Sequence, residues 1–317
     1  MFVGCIVTWV ICFICLMKGV KSIQIVSSIL MPVSWIMLFV LMAYYIGLNR
    51  DIEGKGMDFY LGGENSPSTF NPEDLSLNRL FIDAYNQVFF SVGVCVGVLF
   101  SYGSYNHIKK PVIADAFIIA ILDFLFSIMS GTIVWGALGY LMAKDSPAQN
   151  QTSSVGLAFI AMPVAASLAE DGNGYYVMFT VFLFFTGITS GFGFVEAFVT
   201  NIIDQTAMAR WKVALGVCML GMALCASFTS NVGWILFDMT DHFITDYIVI
   251  TVGILECVSV GWIFEQEKTA CCSPLHRKSL KVLALIYWIP LCTITFYANF
   301  VFPDDKYIGL LSILFTT

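Results

Sequence analysis

Eight stretches of about 20 largely apolar residues follow one another along the 317-residue chain, at 2–17, 23–49, 80–105, 112–142, 174–204, 211–229, 232–264 and 280–300. Coiled as a helix at about 1.5 Å per residue, a run of that length crosses the hydrocarbon core of a bilayer. Inside that core no water satisfies a peptide group, so each run must satisfy its own backbone, which a helix does. The sequence therefore specifies an all-α, multi-pass membrane protein. Composition agrees: 58% of residues are hydrophobic and 12% charged, about half the charge of a soluble domain. Several runs exceed 25 residues, so tilted, broken or protruding helices are expected.

Charge sets the orientation. Lys18, Lys21, Lys109, Lys110, Arg210, Lys212, Lys268, Arg277, Lys278 and Lys281 fall on one side, ten of the fifteen basic residues. The positive-inside rule makes that side cytoplasmic. The loops at 50–79 and 143–173 are then extracellular, and the sequon Asn150-Gln151-Thr152 lies where glycosylation occurs. In the second loop, SSVGLAFIAMPVAASLAEDG reads as a helical hairpin broken at Pro163 and too short to cross. Phe2–Met17 has neither a basic leader nor a small-residue cleavage site. It reads as a span that starts abruptly, which suggests a partial chain.

Several functions are excluded. A net charge of −7 does not suit nucleic acid, which needs a basic face. The ten cysteines sit in apolar spans or in ACCSP, with no disulfide framework or metal spacing. Cys271 and Cys272 border a membrane end, a position open to palmitoylation as well as to inert thiols. No nucleophile elbow, metal motif or phosphate loop is present, and His107, His242 and His276 are scattered, so no enzyme is indicated.

The chemistry concentrates inside the spans. QVFFSVGVCVGV, residues 87–98, puts Gly93 and Gly97 in the middle of a crossing segment. Each glycine costs a helix about 1 kcal/mol relative to alanine. Gln87 and Ser91 share one helix face, as do Asp123 and Ser127 of the next span, both pairs being four residues apart. Measured from the short inner loop between them, both pairs lie roughly 18–23 Å deep. Thr189 and Ser190 lie at similar depth in a third span. Serine, threonine and glycine alone would read as helix glue. Asp123 argues otherwise, because a carboxylate within a span is expensive and faces a partner, cavity or ion path. No Lys or Arg stands in the interior of any predicted span to neutralise it. A broken helix beside such a residue is the pattern of a transporter midplane site, where freed carbonyls bind ions and half-helix ends face substrate.

FIDAYNQVFFSVGVCVGVLFSYGSYN resembles the sixth transmembrane helix of the neurotransmitter:sodium symporter family (solute carrier family 6). MKGVKS resembles the segment after the family's fourth helix, and GLAFIAMPVA its fourth extracellular loop. FTGITSGFGFVEAFVTNIID resembles the eighth helix and ILECVSVGWIF the tenth. The resemblance covers the family's fourth to eleventh helices. It implies the inverted-repeat symporter fold of the bacterial leucine transporter type, lacking the first three helices. It also implies a sodium-coupled symporter of amino acids or related small amines, working by alternating access in the plasma membrane. The partners so implied are the small-molecule substrate, surrounding lipid, and further copies or relatives in an oligomer.

By position, the resemblance makes Phe90 a lid over substrate and Gly93, Val96, Ser190, Gly191 and Phe194 the pocket wall. Ser91 and Asp123 match a first sodium site. The Thr186 carbonyl and the Thr189 and Ser190 hydroxyls match a second. Oxygen ligands of this kind suit a hard cation. Gln87, Ser91 and Ser127 match the chloride site of chloride-dependent members. Asp241 matches the outer gate, and Tyr105 and Asp204 the inner gate. Asp123 stands where the family has asparagine, and its fixed charge can take over chloride's role. Cys95 stands where glycine is usual. The competing reading is a truncated, non-transporting membrane protein that associates with full-length relatives. Coding sequence for three more spans ahead of Met1 would favour the symporter.

Overall fold

Apolar sequence becomes long helices. In the computed structural model, the described residues are 2–50, 56–57, 60, 77–94, 96–107, 112–150, 156–169, 172–206, 208–230, 232–244 and 248–259. Cys95, Cys271, Cys272 and the expected span at 280–300 lie outside them, as does most of the loop at 50–79. The helices are α1 (Phe2–Leu16), α2 (Val20–Arg50), α3 (Leu77–Val92), α4 (Val98–Ser104), α5 (Val112–Ala143), α6 (Met162–Leu168), α7 (Gly172–Gln205), α8 (Arg210–Ser227), α9 (Gly233–Phe243) and α10 (Val249–Val258). Among the described residues α2, α5, α7 and α8 are long and apolar enough to cross a membrane. At 34 residues, α7 would extend for about 50 Å, more than the hydrocarbon thickness.

Two compact units partition these elements. The first holds residues 1–70 and 100–231, the second residues 71–99 and 232–317. In the first unit α7 is the common spine. Near its start, Phe179 and Phe182 join Leu38, Leu41 and Tyr45 of α2, Ile133 and Leu141 of α5, and Met162 of α6 in one apolar core. Further along, Ile188, Phe192 and Val199 join Cys12 and Leu16 of α1 and Ala214 and Cys218 of α8 in another. Outward faces stay apolar too. Ile113, Phe117, Ile121 and Phe124 of α5 are exposed, as a helix with lipid for solvent permits. In the second unit α3 packs against α10.

Where α2 meets α5, small residues bring two backbones together. The Asn49 side-chain amide donates to the carbonyls of Tyr45 and Gly136, each at 2.9 Å, and its oxygen accepts from the Gly56 N–H at 3.2 Å. Asn49 is buried, so three bonds satisfy a polar group that would otherwise cost several kcal/mol in an apolar setting. The approach is close enough that a Cβ on Gly139 would collide with the Gly56 Cα. Gly139→Val should therefore cost about 1–3 kcal/mol through overpacking. It should show as a lower midpoint of thermal unfolding in detergent; an unchanged midpoint would mean that the two backbones can separate freely.

The second extracellular segment departs from expectation. Instead of a hairpin broken at Pro163, a π-helical turn, Leu157–Ala161, runs directly into α6. Pro163 falls where the π turn passes into α6: the Met162 N–H still reaches back to the Leu157 carbonyl, and the N–H that proline lacks is lost at this change of ladder.

Candidate functional site

The apolar run at 80–105 is interrupted, as its glycines suggest. Helix α3 ends at Val92 and α4 begins at Val98. Gly93 and Gly97 have φ of 71° and 77°, in the left-handed region that other residues enter at a cost. The helix closes off with Gly93 N–H donating to the Phe90 carbonyl and Val94 N–H to that of Phe89, both at 3.1 Å. Past that point the ladder stops, so backbone groups become available inside a crossing segment.

Most oxygen-bearing residues singled out in sequence belong to the first unit. On α7, the Thr189 hydroxyl lies 3.0 Å from the Thr186 carbonyl and 2.9 Å from that of Phe185. It also approaches the Met31 sulfur of α2 at 3.9 Å. Ser190 and Phe194 are exposed. Gly191 lines an apolar cleft of about 350 Å³ shared with α1 and α8. On α5, Asp123 is partly buried and Ser127 exposed. Gln87, Phe90, Ser91, Gly93 and Val96 belong to the second unit, with Gln87, Phe90 and Ser91 exposed. Asp241 of α9 is also in the second unit and exposed. Asn150 ends a short 3-10 turn, Pro147–Asn150.

A cluster that sequence reading passed over lies at the far end of α7. Glu196 is 0% exposed and forms a salt bridge with Arg210, the first residue of α8. The Tyr105 and Thr200 hydroxyls both donate to the Glu196 carboxylate at 3.2 Å. Ser101 donates to Thr200 at 3.3 Å. Arg210 spends its other donors on Tyr105 Oη at 3.5 Å and the Leu16 carbonyl at 3.3 Å. Beneath it Gly19, with φ of 91°, would place a Cβ 3.3 Å from Nε. One ion pair thus ties the end of α1 to α4, α7 and α8. Tyr105, expected at an inner gate, is a member. Asp204, expected beside it, is exposed two turns beyond Glu196. The sequence signal for Glu196 was the one used for Asp123: a carboxylate within a span needs a partner.

The sequence profile of the Sodium:neurotransmitter symporter family matches residues 1–300. A sodium-dependent transporter of Methanocaldococcus jannaschii is 29% identical over 270 residues, covering 84% of this chain and 53% of the relative. A sodium- and chloride-dependent taurine transporter of Canis lupus familiaris is 29% identical over 271 residues, covering 83% and 42%. The chain thus spans about half the length of these curated relatives. The crystal structure of MhsT in complex with L-phenylalanine superposes with a TM-score of 0.70 at 22% identity, covering 92% of this chain and 66% of that one. The fold is therefore of the inverted-repeat symporter type, all-α and multi-pass.

Proposed function

Because the chain belongs to the Sodium:neurotransmitter symporter family, a family of transporters and not of enzymes, we propose that it forms part of a sodium-coupled symporter for an amino acid or related small amine. The break between α3 and α4 carries this reading. Two glycines in left-handed conformation stop a helix within a crossing segment. Such a stop is costly in lipid unless the freed backbone binds something. Taurine in one relative's name and L-phenylalanine with MhsT favour a small charged or zwitterionic substrate. Phe90, Gly93, Val96, Ser190, Gly191 and Phe194 would wall its pocket.

Sodium would be held by Ser91 with Asp123, and by Thr186, Thr189 and Ser190. These are hard oxygen donors for a hard cation. The Thr189 hydroxyl donates to the Thr186 carbonyl at 3.0 Å, the usual back-bond of a helical threonine, so the two oxygens of the second set lie together on α7. Gln87, Ser91 and Ser127 would hold chloride. Tyr105, Glu196 and Arg210 would keep the inner end closed together with Asp204, and Asp241 would serve the outer gate. Alternating access then means making and breaking such contacts around a fixed site.

Ligands that bind only the folded state raise its stability. Protein expressed from the complete coding sequence should unfold at higher temperature in sodium chloride than in choline chloride. Equal midpoints across the concentration range would count against sodium sites. Asp123→Asn should retain transport while becoming more dependent on chloride, since the fixed negative charge is lost. Comparing uptake in chloride and gluconate media checks this, and an unchanged chloride profile would remove Asp123 from the ion site.

A further inference from the structure

Helices α1 and α8 meet along an antiparallel seam in constant register. Cys5 lies beside Cys225, and Cys12 beside Cys218. Between these levels, a Cβ on Gly221 would collide with the Trp9 ring. Each step along α1 is matched by an equal step back along α8: four residues from Cys5 to Trp9 and from Cys225 to Gly221, then three from Trp9 to Cys12 and from Gly221 to Cys218. Steps of four and three keep one helix face. The glycine notch holding Trp9 draws the backbones together, as small residues do in membrane helix pairs. Thiols therefore face each other across a close seam at two levels.

The two levels differ in exposure. Cys225 sits in the last turn of α8, which ends at Ser227 and continues into turns through Thr229 and Ser230. Those hydroxyl-bearing residues coincide with the end of the span expected at 211–229. Cys5 faces Cys225 at that level, and both are partly exposed free thiols. The cleft beside Thr8, Gly187 and Gly191 is lined by one thiol of each level, Cys225 and Cys12, so the levels differ in exposure and not in cleft access. Cys12 and Cys218 are buried about 10 Å deeper, two turns along.

We propose that Cys5 and Cys225 are an oxidisable pair that closes to a disulfide across the α1–α8 seam, with hydrogen peroxide as oxidant. One thiol, after losing its proton to water, attacks a peroxide oxygen and becomes a sulfenic acid, releasing hydroxide that takes up the proton as water. The second thiol displaces the sulfenic hydroxyl as water and forms the S–S bond. Two thiols and one peroxide thus give one disulfide and two waters. The inner pair stays reduced because both of its thiols are buried and Cys218 lies outside the cleft that Cys12 lines.

The test treats the full protein in native membranes with peroxide, alkylates remaining thiols, and analyses digested peptides by mass spectrometry. The expected result is loss of two alkylatable thiols and a Cys5–Cys225 linked peptide, reversed by dithiothreitol. Cys12→Ser should leave the link intact, and Cys225→Ser should abolish it. Both cysteines remaining alkylatable would overturn the proposal. So would sulfinic acid at either one without a linked peptide, or a link between Cys12 and Cys218 alone.

Discussion

Arg210→Ala should destabilise the protein by about 3–5 kcal/mol, the usual cost of stripping one partner from a buried ion pair. Glu196 is the reason. Its side chain has no exposure and sits between Val195 and Val199, both in the apolar core of α1, α7 and α8. Two hydroxyls would still reach it, but neither carries a charge. Detergent-solubilised Arg210→Ala should thus unfold at markedly lower temperature than the parent. Arg210→Met, which keeps the apolar stem, should fall nearly as far. Adding Glu196→Gln to Arg210→Ala should restore part of the loss, because a buried amide costs less than a buried carboxylate. A parent-like midpoint for Arg210→Ala would mean that the pair holds nothing together.

The largest functional effect is expected on α7. Ser190 is exposed on a helix whose Thr186 carbonyl and Thr189 hydroxyl already sit 3.0 Å apart. If these oxygens share a sodium ion, Ser190→Ala removes one ligand. A contact to a charged group contributes about 1.5–3 kcal/mol, so half-maximal sodium should rise roughly 10- to 150-fold. Uptake measured against sodium concentration, with the variant in the complete coding sequence, gives the comparison. Thr189→Ser, which keeps its hydroxyl, should shift the curve little. Overlapping curves for Ser190→Ala and parent would mean that the hydroxyl does not touch the ion.

The break at Gly93 and Gly97 was legible because glycine conflicts with its apolar surroundings, and a local conflict shows in a linear sequence. The long crossing helices were legible for the same kind of reason: hydropathy is a property of consecutive residues. Pro163 misled because a proline can be carried within a continuous helical run where a π turn passes into an α-helix, and sequence alone did not show that the run continues through it. Glu196 and Arg210 are 14 residues apart on consecutive helices, and Arg210 had a sufficient explanation as one more cytoplasmic cation. The register between α1 and α8 was hidden further, since the two helices are separated by most of the chain. Tyr105 was singled out through the resemblance alone, and its partners Glu196, Thr200 and Arg210 depend on how α4 lies against α7, which no spacing encodes.

Sodium-driven accumulation tests the central claim most directly. Protein expressed from the complete coding sequence would be reconstituted in liposomes and offered labelled amino acids and small amines, including taurine, under an inward sodium gradient. At least one substrate should concentrate inside above its external level, and the accumulation should collapse when a sodium ionophore dissipates the gradient. Equal uptake of every compound with sodium replaced by choline would contradict the account.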